Sequence, residues 1–253
     1  MKLINTLALV SGLITISPVL AQPTEKYVIG VENIEYLPYY DGSGTSKRDY
    51  FGFSKELLEL FAKQQNIKFE FYTLPIPRLY KEFIEHHHVD FKYPDNPNWQ
   101  VSYKNQHQQD INYSVPSLVT HTGIASLKDN IKLEDCKSLA KVRGFTLQGL
   151  EKLTSMPGLQ VLENDNVIEM IYLLHKERVD CIYISHDVLK YNIEEFFDTP
   201  VPVFFQHQLP VDHQAFMLSS IKHPQLVKKF NVFLKDNENA IEELKQKHNF
   251  IVE

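Results

Sequence analysis

Phe69-Glu70-Phe71-Tyr72-Thr73-Leu74-Pro75-Ile76-Pro77-Arg78-Leu79-Tyr80, followed after a helix-forming run by Val89-Asp90-Phe91, is the stretch on which the fold turns. An apolar strand leads into a helix opened by proline, and a short strand then begins with Val-Asp. Proline is tolerated in a first helical turn because its missing N–H would have had no partner inside the helix. The arrangement returns later in the chain. Leu159-Gln160-Val161-Leu162 is a strand, residues 168–178 form a helical run ending in charges, and Val179-Asp180-Cys181-Ile182 is the closing strand. Two such units imply two similar α/β lobes, and two lobes enclose a cleft where a small molecule binds.

Working outward, the N-terminus reads as a targeting segment. Lys2 supplies a positive start, residues 3–20 are mostly apolar, and Val19-Leu20-Ala21 offers small residues for a signal peptidase. Residues 1–21 are therefore expected to be a cleaved signal peptide that sends the protein to the periplasm. No later stretch is apolar for long enough to cross a bilayer. The formal charge of the 253-residue chain is −6, and becomes −7 without Lys2. With charges of both signs interspersed, this argues against a nucleic-acid or anionic-membrane partner. Nothing points to a cofactor, and a monomer is expected.

Strand and helix alternate through the rest. Lys26 opens the first strand, Ser54 is a candidate N-cap before Leu57, Leu58 and Phe61, and residues 93–112 form a long polar stretch. Arg143-Gly144-Phe145-Thr146 reads as a strand-to-helix turn. Residues 200–205 read as a short strand, and Ala215-Phe216-Met217-Leu218 as a strand returning to the first lobe. Two helices then close the chain. The expected architecture is α/β, with residues 22–120 plus 215–253 in one lobe and 121–214 in the other. Cys136 and Cys181 suggest one disulfide in an exported protein. In a doubly wound sheet of flavodoxin-like order their strands are neighbours, whereas two buried thiols are the alternative.

The order of landmarks resembles that of bacterial solute-binding proteins of family 3, the periplasmic receptors of ABC importers for polar amino acids. Leu37-Pro38-Tyr39-Tyr40 is similar to the family's Pro-Pro-Phe region. Phe51-Gly52-Phe53-Ser54-Lys55-Glu56-Leu57 is similar to its helix start, and Leu74-Pro75-Ile76-Pro77-Arg78 with Val89-Asp90 to its first repeat. Arg143-Gly144-Phe145-Thr146 stands at its Gly-Thr turn, Arg178-Val179-Asp180 at its second repeat, and His213-Gln214-Ala215-Phe216 through His223-Pro224-Gln225-Leu226 at its closing strand and helix. The resemblance implies a two-lobed type II periplasmic-binding-protein fold, two hinge crossings, closure on a ligand, and an inner-membrane ABC permease as partner.

Ligands of open α/β sheets bind at the carboxyl ends of strands. That rule selects Tyr36, Tyr39 and Arg78 on one side, with Tyr93, Asp95, Asn96 and Trp99 after the third strand. In the second lobe it selects Arg143, Thr146, Asp165, Ser185 and Asp187. Arg78 offers a guanidinium fork, the Arg143–Thr146 turn offers free N–H groups at a helix start, and Trp99 offers a stacking face. These groups favour a small anionic or aromatic solute. Two departures from the family argue against a standard α-amino acid. No arginine occurs from Leu79 to Val142, where the family's carboxylate-binding arginine would stand, and Ser185 stands where the family has an ammonium-binding aspartate, with Asp187 two residues on. His86-His87-His88 reads as a solvated loop tip and not a metal site, since consecutive residues make poor joint ligands. The leading function is therefore solute capture for an importer. A ligand-binding sensory protein is the first alternative. A periplasmic lyase or dehydratase drawing on Glu32, Glu163 or Asp187 is the second.

Overall fold

The computed structural model describes residues 24–196 and 202–250. The expected signal peptide lies outside the described residues, as do the first two residues of the strand expected at 200–205. In the first part of the chain, β1 (Glu25–Glu32), β2 (Glu35–Tyr36), β3 (Tyr40–Asp41), α1 (Phe53–Gln65), β4 (Ile67–Leu74), α2 (Ile76–Ile84), β5 (Phe91–Asp95), α3 (Val101–His107) and β6 (Asn112–Tyr113) lead to the long β7 (Leu118–Ser126). There follow β8 (Ser138–Val142), α4 (Glu151–Thr154), β9 (Gln160–Asn164), α5 (Val167–His175), β10 (Cys181–Ser185), α6 (His186–Phe196), β11 (Phe204–Phe205), the long β12 (Asp212–Ser220), α7 (Pro224–Asp236) and α8 (Glu238–Lys247).

One curled sheet runs β4-β1-β5-β12-β7-β10-β8-β9, with β6 on β12 and β11 on β7. Its two halves repeat one plan. β4-β1-β5 are parallel and flanked by antiparallel β12; β9-β8-β10 are parallel and flanked by antiparallel β7. The two long strands join the halves. β7 pairs with β12 over residues 118–122 and with β10 beyond; β12 pairs with β7 over 212–216 and then turns to β5. Each crosses from one lobe to the other.

The repeated Val-Asp unit has a local cause. Asp90 Oδ2 accepts from Val28 N at 2.8 Å, fixing β1 against the start of β5. Asp180 Oδ2 accepts from Ser138 N at 2.8 Å and Ser138 Oγ at 2.7 Å, fixing β8 against β10 in the same way. The expected order also brings Cys181 beside β8, and Cys136–Cys181 forms a disulfide with Cα atoms 5.5 Å apart, an ordinary separation for such a bond.

Helix α1 packs Leu57, Leu58, Phe61 and Ala62 inward, and it ends at Asn66, whose left-handed φ of 54° closes the helix. Ser54 is not its N-cap: the helix begins two residues earlier than its sequence suggests, with Gly52 as cap. Gly52 has φ +90°, and a Cβ there would meet the backbone of Tyr40 at 2.9 Å, so only glycine fits. The polar stretch after β5 is not irregular throughout, since it contains α3. In the second lobe, Asn166 caps α5 by accepting from Glu169 N at 3.1 Å. No helix among the described residues is long and apolar enough to cross a membrane.

Candidate functional site

The carboxyl ends of β1, β5, β8 and β10 point toward the junction of the lobes, where a narrow cavity lies. Its walls are mostly aromatic. Tyr36, Tyr40, Tyr80 and Trp99 come from the first lobe, Phe145 from the second, and Phe216 from crossing strand β12. Polar groups are few: Glu32, Thr120, Thr122, Thr146 and Gln214. The lobes meet directly around the cavity, so the molecule is closed.

Direct contacts hold them closed. Ser185 N donates to Tyr36 Oη at 3.1 Å, Tyr39 Oη donates to Asp187 Oδ2 at 2.6 Å, and Tyr39 Oη shares a 2.7 Å bond with Ser185 Oγ. On the other flank Gln100 Nε2 donates to Gly144 O at 2.8 Å, and Gln100 N to Thr146 Oγ1 at 3.3 Å. Gly144 has φ +85°, and a Cβ there would come within 2.9 Å of Ile76. Glycine thus permits the second lobe's turn to seat on the start of α2.

Four charges sit beneath the first-lobe wall. Lys92 is fully buried, 3.5 Å from Asp95 and 4.0 Å from Glu32. It donates to Pro94 O at 2.5 Å and lies over the rings of Tyr80 and Trp99, 4.5 and 5.6 Å from their centroids. Asp95 also accepts from Tyr80 Oη and Lys104 Nζ, each at 3.0 Å, and from Ser219 Oγ at 2.7 Å. Burial alone would raise the Asp95 carboxyl, but Lys92, Lys104 and the hydrogen bonds outweigh it and hold the pKa below its ordinary value. Glu32 is the reverse case. Burial pushes its pKa up, and Lys92 and the hydrogen bond from Tyr40 only partly oppose it. Glu32 is a buried carboxylate lacking full compensation, and it faces the cavity.

The residues selected from the sequence divide into three groups. Tyr36, Trp99 and Thr146 line the cavity. Tyr39, Ser185 and Asp187 latch the lobes beside it. The others lie elsewhere. Arg78 is a half-exposed side chain 3.6 Å from Glu82, one helical turn on. Arg143 pairs with Asp165 at 2.7 Å and Glu163 at 3.4 Å, and both Arg143 and Asp165 line an outer groove with Pro75 and Pro77. Tyr93 is core, bonded to Ser117 Oγ at 2.8 Å. Asp95 belongs to the buried charge group, and Asn96 ties β12 through a 2.9 Å bond to Ala215 O. The turn after β8 opens no helix at Thr146. The next helix, α4, is four residues long and begins at Glu151, so the anion site expected at a helix start does not form. Neither arginine lines the cavity, and its one carboxylate opposes an anion.

Sequence reasoning missed Thr120, Thr122, Gln214 and Phe216, which lie on the crossing strands. Their signal is period two: Thr120 and Thr122 are buried on either side of His121, and Gln214 and Phe216 on either side of Ala215.

No protein-family model matches the sequence, and comparison with curated proteins gives no match. Solved structures do match. The chain is similar to a periplasmic binding protein of an arginine third transport system from Legionella pneumophila, with TM-score 0.71 and 15% identity over 89% of this chain and 100% of that one. It is similar to an ancestral arginine-binding protein bound to arginine, with TM-score 0.69 and 18% identity over 89% and 98%. A third is the GluR0 ligand-binding core from Nostoc punctiforme in complex with (L)-glutamate, with TM-score 0.68 and 16% identity over 88% and 99%. The chain has the two-lobed periplasmic-binding-protein fold. Within that fold the cavity lies at the carboxyl ends of both parallel strand sets, where α/β sheets hold their ligands.

Proposed function

We propose that the protein binds one small solute between its lobes and releases it to an ABC permease in the inner membrane, acting in the periplasm as a monomer. The observation that carries this reading is the closed interlobe cavity with Glu32 in an aromatic wall. Its chemistry favours a solute with a compact apolar or aromatic body and a protonated amine. Glu32 gains a partner when such a group arrives, and tyrosine and tryptophan faces attract a cation. An amino acid gripped through its carboxylate by an arginine is disfavoured, because both candidate arginines lie outside the cavity.

Binding without turnover is also favoured. Of the three carboxylates that could serve an enzyme, Glu163 pairs with Lys141 and Asp187 is engaged by Tyr39, so no second carboxylate joins Glu32 in the cavity wall. Thermal-shift measurements against a panel of amines, amino acids and carboxylates test the proposal. A solute at a hundred times its dissociation constant stabilises by about 2.7 kcal/mol. The expected result is a hit among amine-bearing solutes that Glu32→Gln and Trp99→Ala both weaken. Hits confined to anions, or hits indifferent to both substitutions, would overturn the assignment.

A further inference from the structure

The loop after α2 carries His86, His87 and His88 in succession. The observed backbone brings two of them together. His87 adopts φ +54°, and the rings on either side of it, His86 and His88, lie with centroids 5.3 Å apart. Both Nδ1 atoms meet one oxygen of Glu82, at 3.3 Å for His86 and 2.6 Å for His88. The three ligand atoms all lie within 4.8 Å of one another. Donors held at roughly 2.0–2.2 Å around a tetrahedral ion are themselves about 3.3 Å apart, so side-chain rotations that change these separations by up to about 1.5 Å would seat an ion.

The loop is held in this shape. His86 N donates to Lys81 O at 3.1 Å, His88 N to Glu82 O at 2.9 Å, and Lys222 Nζ to His87 O at 2.6 Å. The Glu82 side chain is only 11% exposed, whereas those of His86 and His88 are 39% and 68% exposed. A fixed carboxylate thus stands beneath two imidazoles that solvent can reach. We propose that Glu82, His86 and His88 form a site for one borderline divalent transition-metal ion such as Zn²⁺, with water completing its shell. Two imidazoles and a carboxylate suit such ions, while Mg²⁺ and Ca²⁺ prefer oxygen ligands alone. The site lies at the far end of α2 from the cavity, so its occupancy does not depend on the solute. Arg78, 3.6 Å from the other Glu82 oxygen, competes for the same carboxylate.

Isothermal titration of Zn²⁺ into the untagged full chain at about pH 7.5, where imidazole is neutral, tests the proposal. One Zn²⁺ per chain is expected to bind at the tightest site. His86→Ala and His88→Ala should each weaken that site at least about tenfold, His87→Ala should leave it unchanged, and excess Mg²⁺ should not compete. Because the loop is exposed, thermal melts of the metal-free variants should overlay the wild type, and Zn²⁺ should raise the Tm of the wild type but not of the double variant. Equal Zn²⁺ affinity in the wild type and the His86→Ala/His88→Ala double variant, or no Zn²⁺ bound by the wild type, would overturn the proposal.

Discussion

Each half of the molecule gathers two acids and two bases at the carboxyl ends of its parallel strands, and the two groups differ in almost every other respect. In the first lobe Glu32, Lys92, Asp95 and Lys104 are buried. In the second, Arg143, Glu163 and Asp165 lie at the surface around a Lys141 whose side chain is only 11% exposed, with the Arg143 and Asp165 side chains 50% and 78% exposed. Charges in water cost little and gain little. Charges out of water are held only by one another, and losing one partner strands the rest. The buried group underlies the Tyr80 and Trp99 wall of the cavity, so it fixes the wall that a solute would meet. The exposed group stands outside the cavity, with Arg143 and Asp165 in the outer groove. The second lobe has a covalent tie where the first has buried charge: Cys136–Cys181 joins the segment before β8 to β10.

The most severe break of this comparison is Lys92→Met. It leaves Asp95 and Glu32 facing each other without the ammonium between them, and should cost about 3–5 kcal/mol in urea unfolding. A loss near that of a surface substitution would mean that water reaches the group and that its burial does not govern it. The next largest effect belongs to the other lobe. Replacing Cys136 and Cys181 with serine opens a loop between residues 45 apart in sequence, and should cost about 2–4 kcal/mol. Reductant should produce the same loss in the wild type and none in the variant.

The third prediction divides the buried group itself. Asp95 has its pKa lowered in the folded state, so its contribution is complete above the ordinary aspartate range and is lost as pH falls through the lowered folded value. The stability gap between wild type and Asp95→Asn should therefore shrink on acidification. Glu32 has its pKa raised, so the folded state holds its proton more tightly than the unfolded chain does. Its contribution is present below the ordinary glutamate range and is lost as pH rises through the raised folded value. Glu32→Gln should thus gain on the wild type as pH rises through that interval. Stability–pH curves for the two variants should slope in opposite directions relative to wild type. Parallel slopes would show that the two carboxylates do not sit in opposed environments. Added solute should reduce the Glu32 effect if an amine is its partner.

What could be read from the sequence follows the range of the interactions involved. The Val-Asp units were legible because Asp90 and Asp180 act on the strand next to them in a repeated supersecondary unit. The disulfide was legible because strand order alone brings Cys136 and Cys181 together. The cavity was legible only where it uses loops at strand ends, as with Tyr36, Trp99 and Thr146. Arg78 illustrates the failure: a helix start near the cleft was evident, but the i,i+4 partner Glu82 draws its side chain along the helix and away from the cavity. Lys92 was hidden for another reason. A lysine in an apolar strand reads as an exposed position, and nothing local shows that Asp95, Glu32 and two aromatic faces converge on its ammonium.

Arg143→Ala is the smallest change and the sharpest test of the exposed group. Its guanidinium meets Asp165 at 2.7 Å and Glu163 at 3.4 Å, geometry that would matter greatly if buried. Exposure reduces the expected cost to that of an ordinary surface substitution, and salt should reduce it further, because at about 1 M the screening length falls to about 3 Å. Lys141 remains 2.5 Å from Glu163 after the substitution, so that acid keeps a partner. The informative readout is solute affinity measured beside stability. Arg143 lines the outer groove and not the cavity, so affinity should change less for Arg143→Ala than for Trp99→Ala, and the difference should persist at high salt. A large, salt-sensitive loss of affinity with unchanged stability would place the guanidinium on the solute's path and would make the exposed group part of recognition.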